Sequence, residues 1–168
     1  QYFNTIDPGQ VDHIEIIRGP QTVLWGSDAM GGVINVVTRR TPTDSVLNDP
    51  VRTWTSRYSS ADGGIYTRLN YQFQKGETSV FAGSGYGNSN ELDRGGNLGR
   101  QPATAYSQYS GDVRVDRLLS ENQAFTLSVQ HFEQRDIFRS DRYPSRQTIF
   151  DPQQRSMAYL RFQGTDMG

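Results

Sequence analysis

The chain contains no cysteine, which excludes disulfides and thiolate metal sites while fitting several compartments equally well. No apolar run approaches the ~20 residues that a membrane-crossing helix needs, and the opening "QYFNTIDPGQ" is neither basic nor apolar enough for a signal peptide. Net charge is close to nil, at −1 with a pI near 6.1, and no Lys/Arg cluster interleaves with aromatics, so nucleic acid is not an expected partner. Apolar residues are scarce too: 34% hydrophobic content and a mean hydropathy of −0.70 are too little for a large water-soluble core. There is no initiator Met at position 1 and no clear stop after the last strand-like run, so the sequence is expected to be a piece of a longer protein.

What is present points to order of another kind. Nine Tyr, eight Phe and two Trp recur at spaced positions, which is not the profile of a disordered chain, and 17 glycines accompany them. "RGPQTVLWGSDAMGGVINVV", residues 18–37, concentrates glycines and a proline beside a β-branched run. Such crowding is useful where φ turns positive or another backbone comes close.

The texture changes at "RRTPTDSVLNDP", residues 39–50, where Pro, Asp, Asn and Ser gather as in a linker. Before it, "HIEIIRG" and "GVINVVT" read as two short strands, the second resembling a strand buried on both faces. After it the period is two: Ile65, Thr67, Leu69, Tyr71 and Phe73 alternate with Tyr66, Arg68, Asn70, Gln72 and Gln74. The same alternation marks Val113 and Val115, then Phe125, Leu127 and Val129, while weaker strands fit Val51–Tyr58, Thr78–Tyr86 and Ser156–Phe162.

Between these strands, "SSADGG", the long stretch 87–104 and the long stretch 137–154 alternate with the tight "KGET" and "LSEN". Short turns at one end and longer loops at the other are the habit of transmembrane β-barrels, whose polar lumen also accounts for the negative hydropathy. Trp54, Tyr58, Tyr86, Tyr106 and Phe138, near strand ends, suit interfacial girdles or serve simply as strand formers.

"VDHIEIIRGPQTVLWGSDAMGGVINVVTRR", residues 11–40, closely resembles the end of the plug domain of TonB-dependent outer-membrane receptors: the strand "IEIIRGP", the turn "LWGSDAMGG" and the strand "VINVVT" stand in that order and spacing. The resemblance implies a mainly β chain. The end of an α+β plug, residues 1–40, would be followed by a linker at 41–50 and by about six antiparallel strands of an incomplete transmembrane β-barrel at 51–168, in a family whose barrels have about 22 strands around a plugged lumen. With the plug ending on the periplasmic side, the first strand would run outward and the longer loops would lie outside.

The resemblance further implies an outer-membrane receptor of a Gram-negative bacterium that imports a scarce nutrient, such as an iron–siderophore complex. Its partner would be a TonB-type energy-coupling protein acting through a segment absent from this sequence, with outer-membrane lipid and lipopolysaccharide around the barrel. Glu15 and Arg18 would bridge plug to barrel wall, and Gly19, Pro20, Gly26, Ser27, Asp28, Gly31 and Gly32 would form the plug turn. A passive outer-membrane barrel or adhesin without energy coupling is the alternative, though it has no reason to carry residues 11–40.

Chemistry on the substrate is not expected. Gly26, Gly31 and Gly32 are followed by no Lys-Ser or Lys-Thr, which argues against a phosphate loop. His13 and His131 have no ligand-spaced partner, and no Ser/His/Asp or paired-carboxylate arrangement stands out, so no metal, cofactor or enzyme activity is expected. Glu133, Asp136, Asp141 and Asp151 with Arg135, Arg139, Arg142 and Arg146 read as a solvated surface near the third outer loop, with contact to substrate or lipopolysaccharide as the sharper option. The loop "GNSNELDRGGNLGRQPATA" reads as flexible, and the ligand-binding residues stay unassigned.

Overall fold

A computed structural model describes residues 5–20, 25–27, 29–41, 47, 49–138 and 148–164. Asp28 of the turn, residues 42–46 and 48 of the linker, and Asp141, Arg139, Arg142 and Arg146 of the third loop lie outside these. The chain divides into two compact units, Pro8–Arg39 and a second made of Gln1–Asp7 with Arg40–Gly168.

In the first unit, β1 (Val11–Arg18) pairs antiparallel with β2 (Gly32–Thr38), from Val11 opposite Thr38 to Arg18 opposite Gly32, with a bulge between Val11 and His13. The backbone of Arg39 donates to the Gln10 carbonyl at 2.8 Å, and the Arg39 Nε donates to the Val11 carbonyl at 3.1 Å, closing the hairpin's open end. Gly32 requires its lack of a side chain: its φ is +147°, and a Cβ there would stand 2.6 Å from the Ile17 carbonyl oxygen. The β-branched run of β2 is only partly covered, and Ile14, Ile16 and Ile34 are exposed. A two-stranded ribbon carries no second layer of its own, so the both-face burial expected from composition is not met within this unit.

The second unit is built on one antiparallel sheet. Its strands are β3 (Val51–Ser59), β4 (Gly64–Lys75), β5 (Thr78–Ser89), β8 (Tyr106–Ser120), β9 (Gln123–Arg135) and β12 (Gln153–Gly164), hydrogen-bonded in the order β12-β9-β8-β5-β4-β3. Two miniature hairpins decorate the long connections: β6 (Leu92–Asp93) with β7 (Arg100–Gln101), and β10 (Ile137–Phe138) with β11 (Ile149–Phe150). Each main strand pairs with its neighbour in chain order, and β3 and β12 form the two edges. The sheet is therefore an open segment of barrel wall.

Connections at one end, Gly76–Glu77 and Glu121–Asn122, are two residues long. Those at the other end are longer, although the first, Ser60–Gly63, spans only four residues. That tightness comes from Asp62, whose Oδ1 accepts from the Gly64 amide at 3.0 Å, and from Gly63, whose φ is +60°.

The sheet is inside-out by the standards of a water-soluble protein. On β4, Arg68 is 1% and Asn70 3% exposed, while their neighbours Ile65 and Leu69 are 54% and 55% exposed. On β9, Thr126, Ser128 and Gln130 are buried whereas Leu127 and Val129 face out. A mostly polar inner face, which also takes in Phe81 and Phe132, and a largely apolar outer face are what a lipid-embedded barrel wall requires. Strands of 12 to 15 residues are long enough to cross a hydrocarbon layer of about 30 Å at the tilt usual for barrel strands.

Candidate functional site

The inner face carries a dense polar group on β4, β5 and β8, and register explains why. Thr55, Arg68, Gly85 and Ser110 lie opposite one another across β3, β4, β5 and β8, and the next row holds Thr53, Asn70, Gly83 and Asp112. Two glycines on β5 leave the space that a long side chain on β4 needs. A Cβ on Gly83 would run into the Arg68 guanidinium, and one on Gly85 would meet the Ser110 Oγ at 2.5 Å and the Asp7 Oδ2 at 2.7 Å.

Into that space come Arg68 from the wall and Asp7 from the N-terminal segment. Arg68 donates through Nη1 to the Asp7 Oδ2 at 2.9 Å, through Nη2 to the Asp112 Oδ1 at 2.5 Å and through Nε to the Asn70 Oδ1 at 2.8 Å. The Tyr66 hydroxyl donates to the other oxygen of Asp7 at 2.6 Å, and the Ser110 hydroxyl donates to Asp7 Oδ2. Asp7 is 0% exposed, and Arg68, Tyr66 and Ser110 are among the donors that compensate the burial of its carboxylate.

A second inner-face group lies nearer the tight turns. Arg114 grips Asp116 with two parallel hydrogen bonds of 2.7 and 2.8 Å, Thr126 adds a third to that carboxylate at 2.7 Å, and Arg114 also reaches the Tyr159 hydroxyl at 3.2 Å. These hydrogen-bond partners all lie on strands of the wall, so this group braces the sheet.

The residues singled out from sequence fall in three places. Glu15 and Arg18 sit on β1: Glu15 accepts from the Asn35 amide at 2.7 Å, and Arg18 stands opposite Gly32. The Asn35 hydrogen bond, with a smaller contribution from His13, holds the Glu15 carboxyl below its usual range. His13 is bracketed by Asp12 at 2.9 Å and Glu15 at 3.3 Å, which raise its pKa above the ordinary imidazole value. Gly19 and Gly26 have φ of +97° and +90°, as expected of turn glycines, and Pro20, Ser27 and Gly31 lie in the same connection. Around the third loop, Arg135 pairs with Glu133. Of the aromatics, Tyr58 and Tyr86 project from the outer face near the long-loop end, Trp54 faces out from mid-strand, and Tyr106 turns to the inner side opposite Ser89.

Asp7 was not among the expected residues, because it precedes the recognisable strand and its partners are 59 to 103 positions away. The signal that was available is the pairing of a bulky charged residue, Arg68, on a polar face with the small-residue alternation "AGSGYG" on the next strand. No group of three or more His, Cys, Asp or Glu able to hold a metal occurs among the described residues.

Residues 1–33 match the family model described as the TonB-dependent Receptor Plug Domain. Over these residues the chain is similar to the plug domain of TonB-dependent receptors. Among its relatives is the ferric enterobactin receptor PirA of Pseudomonas aeruginosa, 34% identical over 90 residues, covering 54% of this chain and 12% of that protein. Another is an iron-regulated outer membrane virulence protein of Vibrio cholerae serotype O1, 60% identical over 30 residues, 18% of this chain and 5% of that protein. The chain thus spans a small part of the length of these relatives, and Asp7 lies within the plug match while Arg68, Tyr66 and Ser110 lie in the wall.

Proposed function

We propose that this receptor imports an iron–siderophore complex, energised by a TonB-type protein, and that the buried Asp7–Arg68 pair is the latch that fastens the plug segment to the wall. In this reading residues 1–40 are the end of the plug, 41–50 the linker and 51–168 the first barrel strands, with Glu15 and Arg18 as further plug-to-wall contacts. The single observation behind the latch is that Asp7 is completely buried among donors from β4 and β8. The name of the Pseudomonas relative, a ferric enterobactin receptor, supports the choice of cargo.

The chemistry suits a fastening that must open and close. If Asp7 withdraws into water, Arg68 keeps Asp112, Asn70 and Ser110, so the wall retains a paired cation and both states are tolerable. No step on the substrate is needed. The test is uptake of radioiron-loaded enterobactin by iron-starved cells carrying the full-length receptor, with and without their TonB protein. Accumulation that disappears without TonB is the expected result, and equal accumulation in both strains would overturn the reading in favour of a passive barrel.

A further inference from the structure

Directly above the latch, on the inner face toward the long loops, lies a small cavity of about 60 Å³. By the ~10–15 Å³ that one water-sized sphere occupies, it has room for a few waters or one carboxylate-sized group. Its walls include Arg57, Tyr66, Gln108 and Tyr106, and its floor is opened by Gly87, where a Cβ would stand 2.8 Å from the Gln108 side chain.

The charges around this cavity are unequal in freedom. The Arg57 guanidinium stands over the Tyr66 ring, 5.3 Å from its centroid, and forms no ion pair among the described residues. Asp62, the carboxylate on the same cavity, is committed to the hydroxyls of Ser59 and Ser89 and to the Gly64 amide, which hold its pKa below the usual range. A cation without a carboxylate partner beside hydroxyl and amide groups is a site for an anionic oxygen.

Tyr66 belongs to both places. Its ring is a wall of the cavity beneath Arg57, and its hydroxyl is the donor that holds Asp7 at 2.6 Å. We infer that the cavity binds one anionic oxygen group of the imported ligand through Arg57, and that Tyr66 passes its occupancy to the Asp7 latch. An anion drawing Arg57 off the ring changes the field on the Tyr66 hydroxyl and hence its hold on Asp7. Arg57 is a binding residue in this scheme, and Tyr66 a positioning residue. The inference rests on the transport reading above for the identity of the ligand.

The experiment uses the full-length receptor in detergent with 3-fluorotyrosine placed at position 66, observed by fluorine NMR. Acetate is the simple anionic probe, with chloride at equal ionic strength as control. Acetate should shift the resonance in a saturable way, and Arg57→Gln should abolish the shift; no shift, or one that survives Arg57→Gln, overturns the site. In cells, Tyr66→Phe keeps the ring under Arg57 but removes the hydroxyl on Asp7, and should lower TonB-dependent uptake at least threefold beyond any loss of ferric enterobactin affinity measured on the same variant. Undiminished uptake overturns the relay. Failure of the transport reading is separate: the wild-type receptor would then take up no ferric enterobactin while its acetate response remained.

Discussion

Gly83 and Arg68 share one space. The guanidinium of Arg68 on β4 fills the volume that any side chain at position 83 of β5 would occupy. Gly83→Ala is therefore expected to push the guanidinium off Asp7 and Asp112, costing about 1–3 kcal/mol as overpacking does. The cheap readout is the temperature at which the full-length receptor loses its heat-modifiable gel mobility. A variant melting with the wild type would show that Arg68 has another rotamer of equal worth.

The Asp7–Arg68 pair is expected to show strong coupling. Removing one partner from a buried ion pair leaves the other uncompensated, at a cost of about 3–5 kcal/mol. Asp7→Asn and Arg68→Met alone should each destabilise the receptor markedly, and the double variant should be less damaging than the two effects added. A double-mutant cycle on thermal or urea unfolding measures this; strict additivity would mean that the contact does not hold the two segments together.

The outer loop of β3–β4 should loosen in acid. Hydrogen bonds from Ser59 and Ser89 depress the Asp62 pKa below its ordinary value of 3.8. A group whose folded pKa is lowered contributes stability above its unfolded pKa and loses it as pH falls through the folded one. Exchange of the Gly64 amide, which Asp62 accepts, should thus accelerate below about pH 4, and Asp62→Asn should remove that pH dependence. The β1–β2 hairpin has a component of opposite sign, since the raised pKa of His13 contributes stability below its ordinary value of 6.5 that fades as pH rises past it.

The apolar outer face should make insertion sensitive to charge. Val113 projects outward near the middle of β8, so Val113→Arg should cost on the order of 2–4 kcal/mol of folding into lipid vesicles, the range for a cation near the bilayer midplane. The 168-residue chain by itself, with Ile65, Leu69 and Leu160 exposed and two unpaired edges, should aggregate in water without detergent. A soluble, cooperatively melting monomer would contradict the assignment of that face to lipid.

Much of the wall was legible in the sequence, because a period of two is a purely local signal. Val51–Tyr58 became Val51–Ser59, and Thr78–Tyr86 extended to Ser89 once Gly87 proved to be an inner-face spacer rather than the start of a loop. The miniature hairpins β6–β7 and β10–β11 were hidden, since two residues are too few to show alternation. Of the polar group, the wet-face placement of Tyr66, Arg68 and Asn70 could be read, but not its completion by Asp7. Periodicity tells which way a side chain points and nothing of which distant segment meets it.

The connectivity of the sheet also orders its assembly in time. Each main strand pairs with its predecessor, so the wall can grow by short loop closures, hairpin upon hairpin. Asp7, by contrast, binds groups 59, 61 and 103 residues away, on strands that must already lie side by side before they can receive it. This connectivity predicts that the wall forms first and the N-terminal segment docks afterwards, although the ribosome makes them in the reverse order. Until β8 is in place, the Asp7 carboxylate has no Ser110 hydroxyl to receive it.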